Sequence, residues 1–379
     1  MPVAAQGMAI SRAMRRLEKL SIRNYKSIQD QTLELGQLNV FIGGNGVGKS
    51  NLISVFRFLR EVVTQNLAGY TATKGGAETL LHFGRKISKS MSFSLEFAEG
   101  DKANGYNLWL LPTDDDSFLI QVEQATYQDK KRYPPPHKPF DIPVAANVRE
   151  SGLREHPHQC AQQALSALES YRVYHFHDTS DSAPMKATGA IDDNRFLQPQ
   201  AENLAAFLYW MQEKKPDHYR TIVDTVRQIA PFFDDFRLAP SRLNESRIRL
   251  EWREKGSDAY FNAHALSDGT LRFICLATLL LQPEPPAVVL LDEPELGLHP
   301  AAVSLLADLL SSSSTESQVL VATQSVTLVN QFGPDDIWAV DRQDHATIFR
   351  HLSNEDMGQW LDDYSLGELW EKNLLGARP

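Results

Sequence analysis

The hydrophobic positions of the chain follow two periods, and the places where the period changes carry the chemistry. Leu38-Asn39-Val40-Phe41-Ile42 is a short apolar run that predicts a buried strand. Asn51–Val63 follows it, with Leu52, Val55, Phe56, Leu59 and Val63 at helical spacing. Far downstream Ala287–Leu291 has no polar position, as a parallel strand covered on both faces requires, and Val319–Ala322 ends a second strand of this kind. Just before them Leu271, Ile274, Cys275, Thr278 and Leu279 form one face of a helix that starts near Asp268 with Ser267 as its cap.

Between these blocks the pattern shortens. Tyr106–Leu111 and Ser117–Val122 read as strands around the turn Thr113-Asp114-Asp115-Asp116, and Tyr133–Pro139 reads as an extended linker. Glu202–Lys214 and His218–Ile229 read as helices, the second stopped by Pro231, and Arg247–Trp252 alternates like a strand. Asp336–Asp341 and Ala346–Phe349 are the last strands expected. The tail through Trp360, Leu366, Leu369 and Trp370 reads as a helix packed on the rest. No heptad repeat is sustained, which excludes long coiled-coil arms.

The first change of period holds Gly43-Gly44-Asn45-Gly46-Val47-Gly48-Lys49-Ser50, with Asn51 next. Strand, glycine loop and helix together make a phosphate cradle. Glycines let backbone N–H groups turn inward, and a helix start favours negative charge. Lys49 is the candidate for the β- and γ-phosphates of ATP, and the Ser50 hydroxyl for a magnesium ion. The apolar run ending at Leu291 leads into Asp292 and Glu293, at the strand end where open α/β sheets bind ligands. Asp292 is the candidate for holding magnesium and Glu293 for the general base that polarises the attacking water. Leu266-Ser267-Asp268-Gly269-Thr270 is a second phosphate-seeking helix start. Taken singly, each admits a blander reading: a glycine turn, a strand ending in solvated acids, a capped core helix. In this order they predict an ATPase in which Ser267, Asp268 and Gly269 of one copy complete the site of a second, in a two-fold arrangement.

These elements resemble an ABC-type ATPase head of the group containing RecF, the SMC proteins and the OLD ATPases. Leu20-Ser21-Ile22-Arg23-Asn24-Tyr25-Lys26-Ser27-Ile28 is similar to the first strand of that branch. Glu295-Leu296-Gly297-Leu298-His299-Pro300 resembles its D-loop, which reads GLHP where transporter ATPases carry a different sequence. The resemblance covers roughly residues 17–100 and 260–345. It implies an α/β P-loop fold with a mixed central sheet and a compact inserted α+β lobe, with ATP and Mg2+ as cofactors. Two departures stand out. Gln324, in Thr323-Gln324-Ser325, occupies the position of a switch histidine in many relatives, so the amide can contact a γ-phosphate oxygen but cannot take a proton. No glutamine lever loop is evident, and Tyr174-His175-Phe176-His177-Asp178 is the candidate by position.

On this reading residues 17–100 and 260–379 form the head, 101–259 the inserted lobe, and 1–16 a disordered leader. A secretion signal is rejected, no apolar run reaches membrane-spanning length, and only two cysteines, Cys160 and Cys275, point to a reducing compartment, the cytoplasm. A net charge of −10 argues against a surface coated for nucleic acid. Basic runs at Arg12, Arg15, Arg16 and Lys19 and at Lys130, Lys131, Arg132, His137 and Lys138 leave local DNA contact open. His156, His158, Cys160, His175, His177 and Asp178 have residue types that suit zinc, but their spacing fits no structural zinc pattern. Some fifty residues after Ser325 cannot hold a nuclease fold, so cleavage would fall to a separate effector protein encoded nearby. The expected role is an ATP-closed homodimer that gates a partner in DNA maintenance or defence against phage. The alternative is a regulatory clamp with negligible hydrolysis that holds a nuclease or toxin inactive.

Overall fold

The computed structural model describes residues 16–134 and 137–377. The expected leader therefore lies outside the described residues apart from Arg16, as do Pro135 and Pro136 of the expected linker. The chain forms two compact units. One comprises the chain up to Gly36, Gly46–Tyr171 and Val340–Phe349. The other comprises Gln37–Asn45, Arg172–Ala339 and the chain from Arg350 onward.

The first unit is built on a six-stranded antiparallel sheet. Its order is Ile28–Glu34, Leu17–Tyr25, Met91–Glu99, Lys102–Pro112, Phe118–Asp129, Phe140–Ala145. Alternation sends Leu20, Ile22, Phe93, Leu95, Tyr106, Leu108 and Ile120 inward. The helix Lys49–Val63 lays Leu52, Val55, Phe56, Phe58, Leu59 and Val62 into that core. Phe58 anchors it among Tyr25, Tyr70, Phe93 and Phe118. Truncating such an aromatic to alanine costs about 3–5 kcal/mol. One acid is buried here: Glu123 accepts from Tyr106 Oη at 2.7 Å, from the Ser151 hydroxyl at 2.5 Å and from the Gly152 N–H at 2.9 Å. Three donors on one carboxylate compensate its removal from water.

The second unit has a parallel sheet at its centre, in the order Arg172–Tyr174, Val288–Asp292, Gln318–Thr323, Leu38–Ile42 and then residues 337–339, the start of the strand Ile337–Gln343. The apolar runs of the sequence are its inner strands, covered on both faces. The polar interruption Asn39 joins neighbours: its amide donates to the Val319 carbonyl at 3.4 Å and accepts from Trp338 Nε1 at 3.3 Å. The helices Leu204–Lys214, Pro216–Ile229, Asp268–Leu280 and Pro300–Ser313 belong to the same unit, with a small antiparallel sheet of Phe233–Phe236, Glu251–Glu254 and Tyr260–Asn262. The tail ends in a helix, Leu366–Glu371, started by a capping box between Ser365 and Glu368 and seated by fully buried Trp370.

The expected lobe boundary at residue 101 falls at the tip of a hairpin. Met91–Glu99 pairs along its whole length with Lys102–Pro112, so residues 102–145 extend the sheet begun by Leu17–Tyr25. Ending the sheet at residue 99 would expose a long unpaired edge. Arg247–Trp252 is interrupted: Arg247–Ile248 pairs with Gly189–Ala190, and the next strand starts at Glu251.

Candidate active site

In the first unit the glycine loop enters its helix through Gly46 at φ +77° and Gly48 at φ +117°, conformations that L side chains rarely adopt. Gly48 also has no room for a side chain, because a Cβ there would meet Thr347 Oγ1 and Ser27 Oγ. Those two side chains brace the loop. Thr347 Oγ1 donates to the Val47 carbonyl at 2.7 Å, and Ser27 Oγ lies 2.7 Å from Thr347 Oγ1 and accepts from Asn51 Nδ2 at 2.7 Å. Lys49 is buried at the helix start and Ser50 next to it is exposed.

Beside this loop lies a cleft of ≈ 330 Å³ lined by Lys26, Asn51, His82, Phe83, Arg342 and His345 among others. Phe83 stands 56% exposed in it with its ring edge-on to both His82 and His345. The Lys26 ammonium donates to Ser54 Oγ at 3.0 Å. Burial, helped by the charges of Lys74 and Arg57, lowers its pKa to about 8.

In the second unit Asp292 ends its strand, and its backbone carbonyl accepts from His177 Nε2 at 2.7 Å. That contact fixes the proton of His177 on Nε2. Glu293 follows with φ +46°, a left-handed conformation held by its own N–H donating to the Ala322 carbonyl at 2.8 Å. A non-glycine residue in that region costs of order 1–3 kcal/mol, a strain that collects at functional sites. The turn aims the Glu293 carboxylate at Gln324, whose Nε2 donates to it. The paired strands Val288–Asp292 and Gln318–Thr323 thus end in a contacting carboxylate and amide.

Ser267 caps the helix Asp268–Leu280 by accepting from the Thr270 N–H at 3.2 Å. Ser267 and Asp268 are exposed and Gly269 is half-buried, with Asp268 in the first turn. A Cβ on Gly269 would strike the Gly297 carbonyl oxygen, so this helix start is packed against the GLHP turn of its own chain. Arg272, one turn on, joins three segments: Nε donates to the Phe176 carbonyl at 2.9 Å, Nη2 to His177 at 3.0 Å, and Nη1 to the Leu296 carbonyl.

Residues 38–330 match the family described as "AAA domain, putative AbiEii toxin, Type IV TA system". The chain belongs to this AAA-domain family. A curated relative of this AAA-domain protein is a DNA replication and repair protein RecF from Renibacterium salmoninarum. It is 25% identical over 237 residues, which cover 56% of this chain and 57% of that protein. The chain thus spans little more than half the length of the curated relative it matches. Among solved structures, an SMC head bound to the C-terminal winged-helix domain of ScpA has a TM-score of 0.58 at 18% identity. That alignment covers 90% of this chain and 99% of that one. An SMC head with an extended coiled coil, bound to a ScpA C-terminal domain derived from Pyrococcus furiosus, gives 0.57 at 18% identity, covering 92% and 98%. The fold of this AAA-domain chain is that of an SMC head.

Several residues that matter here were not singled out from the sequence. Thr347 lies 300 residues from the loop it braces, and no local pattern reveals it. Arg272 reads as one more position on an apolar helix, and Glu295 as the opening of a loop. Of the zinc-type residues, His158 caps the helix Gln159–Glu169. Among the described residues no group of three or more His, Cys, Asp or Glu is placed to hold a metal. Lys130, one of the expected basic run, is paired with Glu96 at 2.8 Å. Burial pushes the Cys275 thiol up, out of the reactive range. Among the described residues no helix is long and apolar enough to cross a membrane.

Proposed function

We propose that the chain binds ATP with Mg2+, closes as a homodimer around it and hydrolyses it, and that this cycle gates a separate effector protein. The observation that carries the reading is the amide of Gln324 on the carboxylate of Glu293, one at the end of each of two paired parallel strands. Glu293 accepts the proton of water as its oxygen bonds to the γ-phosphorus and the bond to the bridging oxygen of ADP breaks. Gln324 orients that water and reads the γ-phosphate. Lys49 and the loop of Gly43, Gly44, Asn45, Gly46, Val47 and Gly48 hold the phosphates, and Asn51 supports the loop through Ser27. The hard oxygens of Ser50 and Asp292 fit magnesium, which when bound neutralises phosphate charge. The cleft of Lys26, His82, Phe83 and His345 suits the nucleoside, with a flat ring on Phe83. Ser267, Asp268 and Gly269 arrive from the second copy, so loss of the γ-phosphate removes the charge that bridges the pair.

The closed dimer would work in the cytoplasm. The effector would be a nuclease or toxin encoded nearby, in DNA maintenance or defence against phage; the likeness to a DNA replication and repair protein and the membership of a family tied to a toxin system support that choice. DNA itself is a candidate trigger. One experiment tests the core of the reading: steady-state ATP turnover of wild type against Glu293→Gln, with size measured in ATP. The variant should lose about a hundredfold or more in kcat and accumulate as an ATP-bound dimer. Equal rates favour the second reading, a regulatory clamp with negligible hydrolysis. Gln324 at the switch position supports that alternative, since an amide cannot relay a proton.

A further inference from the structure

The turn after the strand Gln318–Thr323 has to present one side chain, Gln324, without the support of a β-ladder. Backbone N–H groups just past a strand end need partners from elsewhere. At Gln324 the partner is a side chain, Glu295. Its Oε1 accepts from the Gln324 backbone N–H at 3.4 Å and from the Thr323 hydroxyl. Thr323 Oγ1 in turn accepts from the Ser325 N–H at 3.0 Å, and Ser325 Oγ accepts from the Leu328 N–H at 3.2 Å to start the next short helix. A single carboxylate oxygen therefore anchors a chain of bonds running from the strand end, through Gln324, to the helix cap. On its other side Gln324 meets Glu293 through its amide.

We propose that Glu295 is the positioning residue of this site: it holds the Thr323–Gln324 turn so that the glutamine amide stays on the Glu293 carboxylate. The proposal rests on the reading of Glu293 as the group that activates water. Glu295 itself touches no reacting atom. Three features suit it to the task. It lies two residues beyond Glu293 with buried Pro294 between them, so the two carboxylates are carried on one stiff turn. Its second oxygen, Oε2, is buried and has no hydrogen-bond partner among the described residues. Only Oε1 is engaged, and acceptance by one oxygen is a function that a glutamine carbonyl can also perform. Burial, with the charge of Glu293 adding to it, raises the Glu295 pKa, which agrees with a neutral side chain being tolerated there.

The test is a set of full-length variants assayed for ATP turnover, with nucleotide affinity and melting temperature measured on each. Glu295→Ala frees the turn and should lower kcat roughly tenfold to a hundredfold while KM stays near the parent value. Glu295→Gln keeps the acceptor and should restore most of that loss, an outcome that a requirement for charge would not give. In a Gln324→Ala background Glu295→Ala should cost nothing further, because the group being positioned is gone. If Glu295→Ala fails to fold, Thr323→Val removes the same anchor from the other end and should show the same selective fall in kcat. A parent-like kcat for Glu295→Ala, or a full additional loss in the Gln324→Ala background, overturns the proposal. Glu293→Gln serves as the control: a parent-like rate there overturns the water-activation reading as well, whereas a dead Glu293→Gln beside an unimpaired Glu295→Ala overturns the positioning role alone.

Discussion

At the scale of single residues, the glycine loop before the helix Lys49–Val63 owes its shape to side chains remote in sequence. Ser27 and Thr347 fill the space a side chain on Gly48 would need, and Asn51 ties the helix to the same point. Lys26 stands next to Ser27 with its pKa lowered to about 8. Free Lys26 is charged below that pH and neutral above it. If its ammonium meets the nucleotide, affinity for ATP should fall as pH rises through about 8, and Lys26→Arg should flatten that fall, because a guanidinium keeps its charge. Calorimetric titrations from pH 7 to 9.5 check it. Stability should move the other way. The unfolded chain holds the Lys26 proton up to its ordinary pKa while the folded chain has released it, so unfolding free energy rises across this window. Lys26→Met should remove that rise, as followed by urea denaturation.

At the scale of elements, Arg272 binds the helix Asp268–Leu280 to the Phe176–His177 segment and to the GLHP turn through three backbone carbonyls. Arg272→Met leaves those carbonyls short of a donor and should lower stability by about 1–3 kcal/mol, and Arg272→Lys should recover little, because an ammonium lacks the planar fork. Thermal melts and turnover read both. This is also the scale at which the sequence was most legible. The two buried strands were readable because parallel strands covered on both faces leave no polar position. The helix Asp268–Leu280 was readable because Ser267 and the period beyond it agree. Arg272 escaped because an arginine on an apolar face can be satisfied by carbonyls that no spacing encodes. The pairing of Met91–Glu99 with Lys102–Pro112 across residue 101 escaped for a related reason: it is visible only when both strands are placed. Glu295 could have been found from the three acids in Asp292-Glu293-Pro294-Glu295, had the third been asked for a partner.

At the scale of the whole molecule, the proposed arrangement makes two copies share each nucleotide. Lys49→Ala removes the phosphate lysine and Ser267→Arg blocks the face offered to a partner, so each variant alone should be inactive. Mixed one to one, half of the dimers pair one of each, and one of the two sites in such a pair is intact. About a quarter of the wild-type rate should therefore return, as a two-fold assembly requires. Activity should also fall faster than linearly on dilution of the wild type. A single-copy site would show neither complementation nor dilution loss.

The crowding of Gly269 against the Gly297 carbonyl has a consequence of its own. Even one methyl group at 269 would push the neighbouring loop aside, so the helix start proposed to meet a second copy and the turn that follows the proposed catalytic acid are joined by hard contact within one chain.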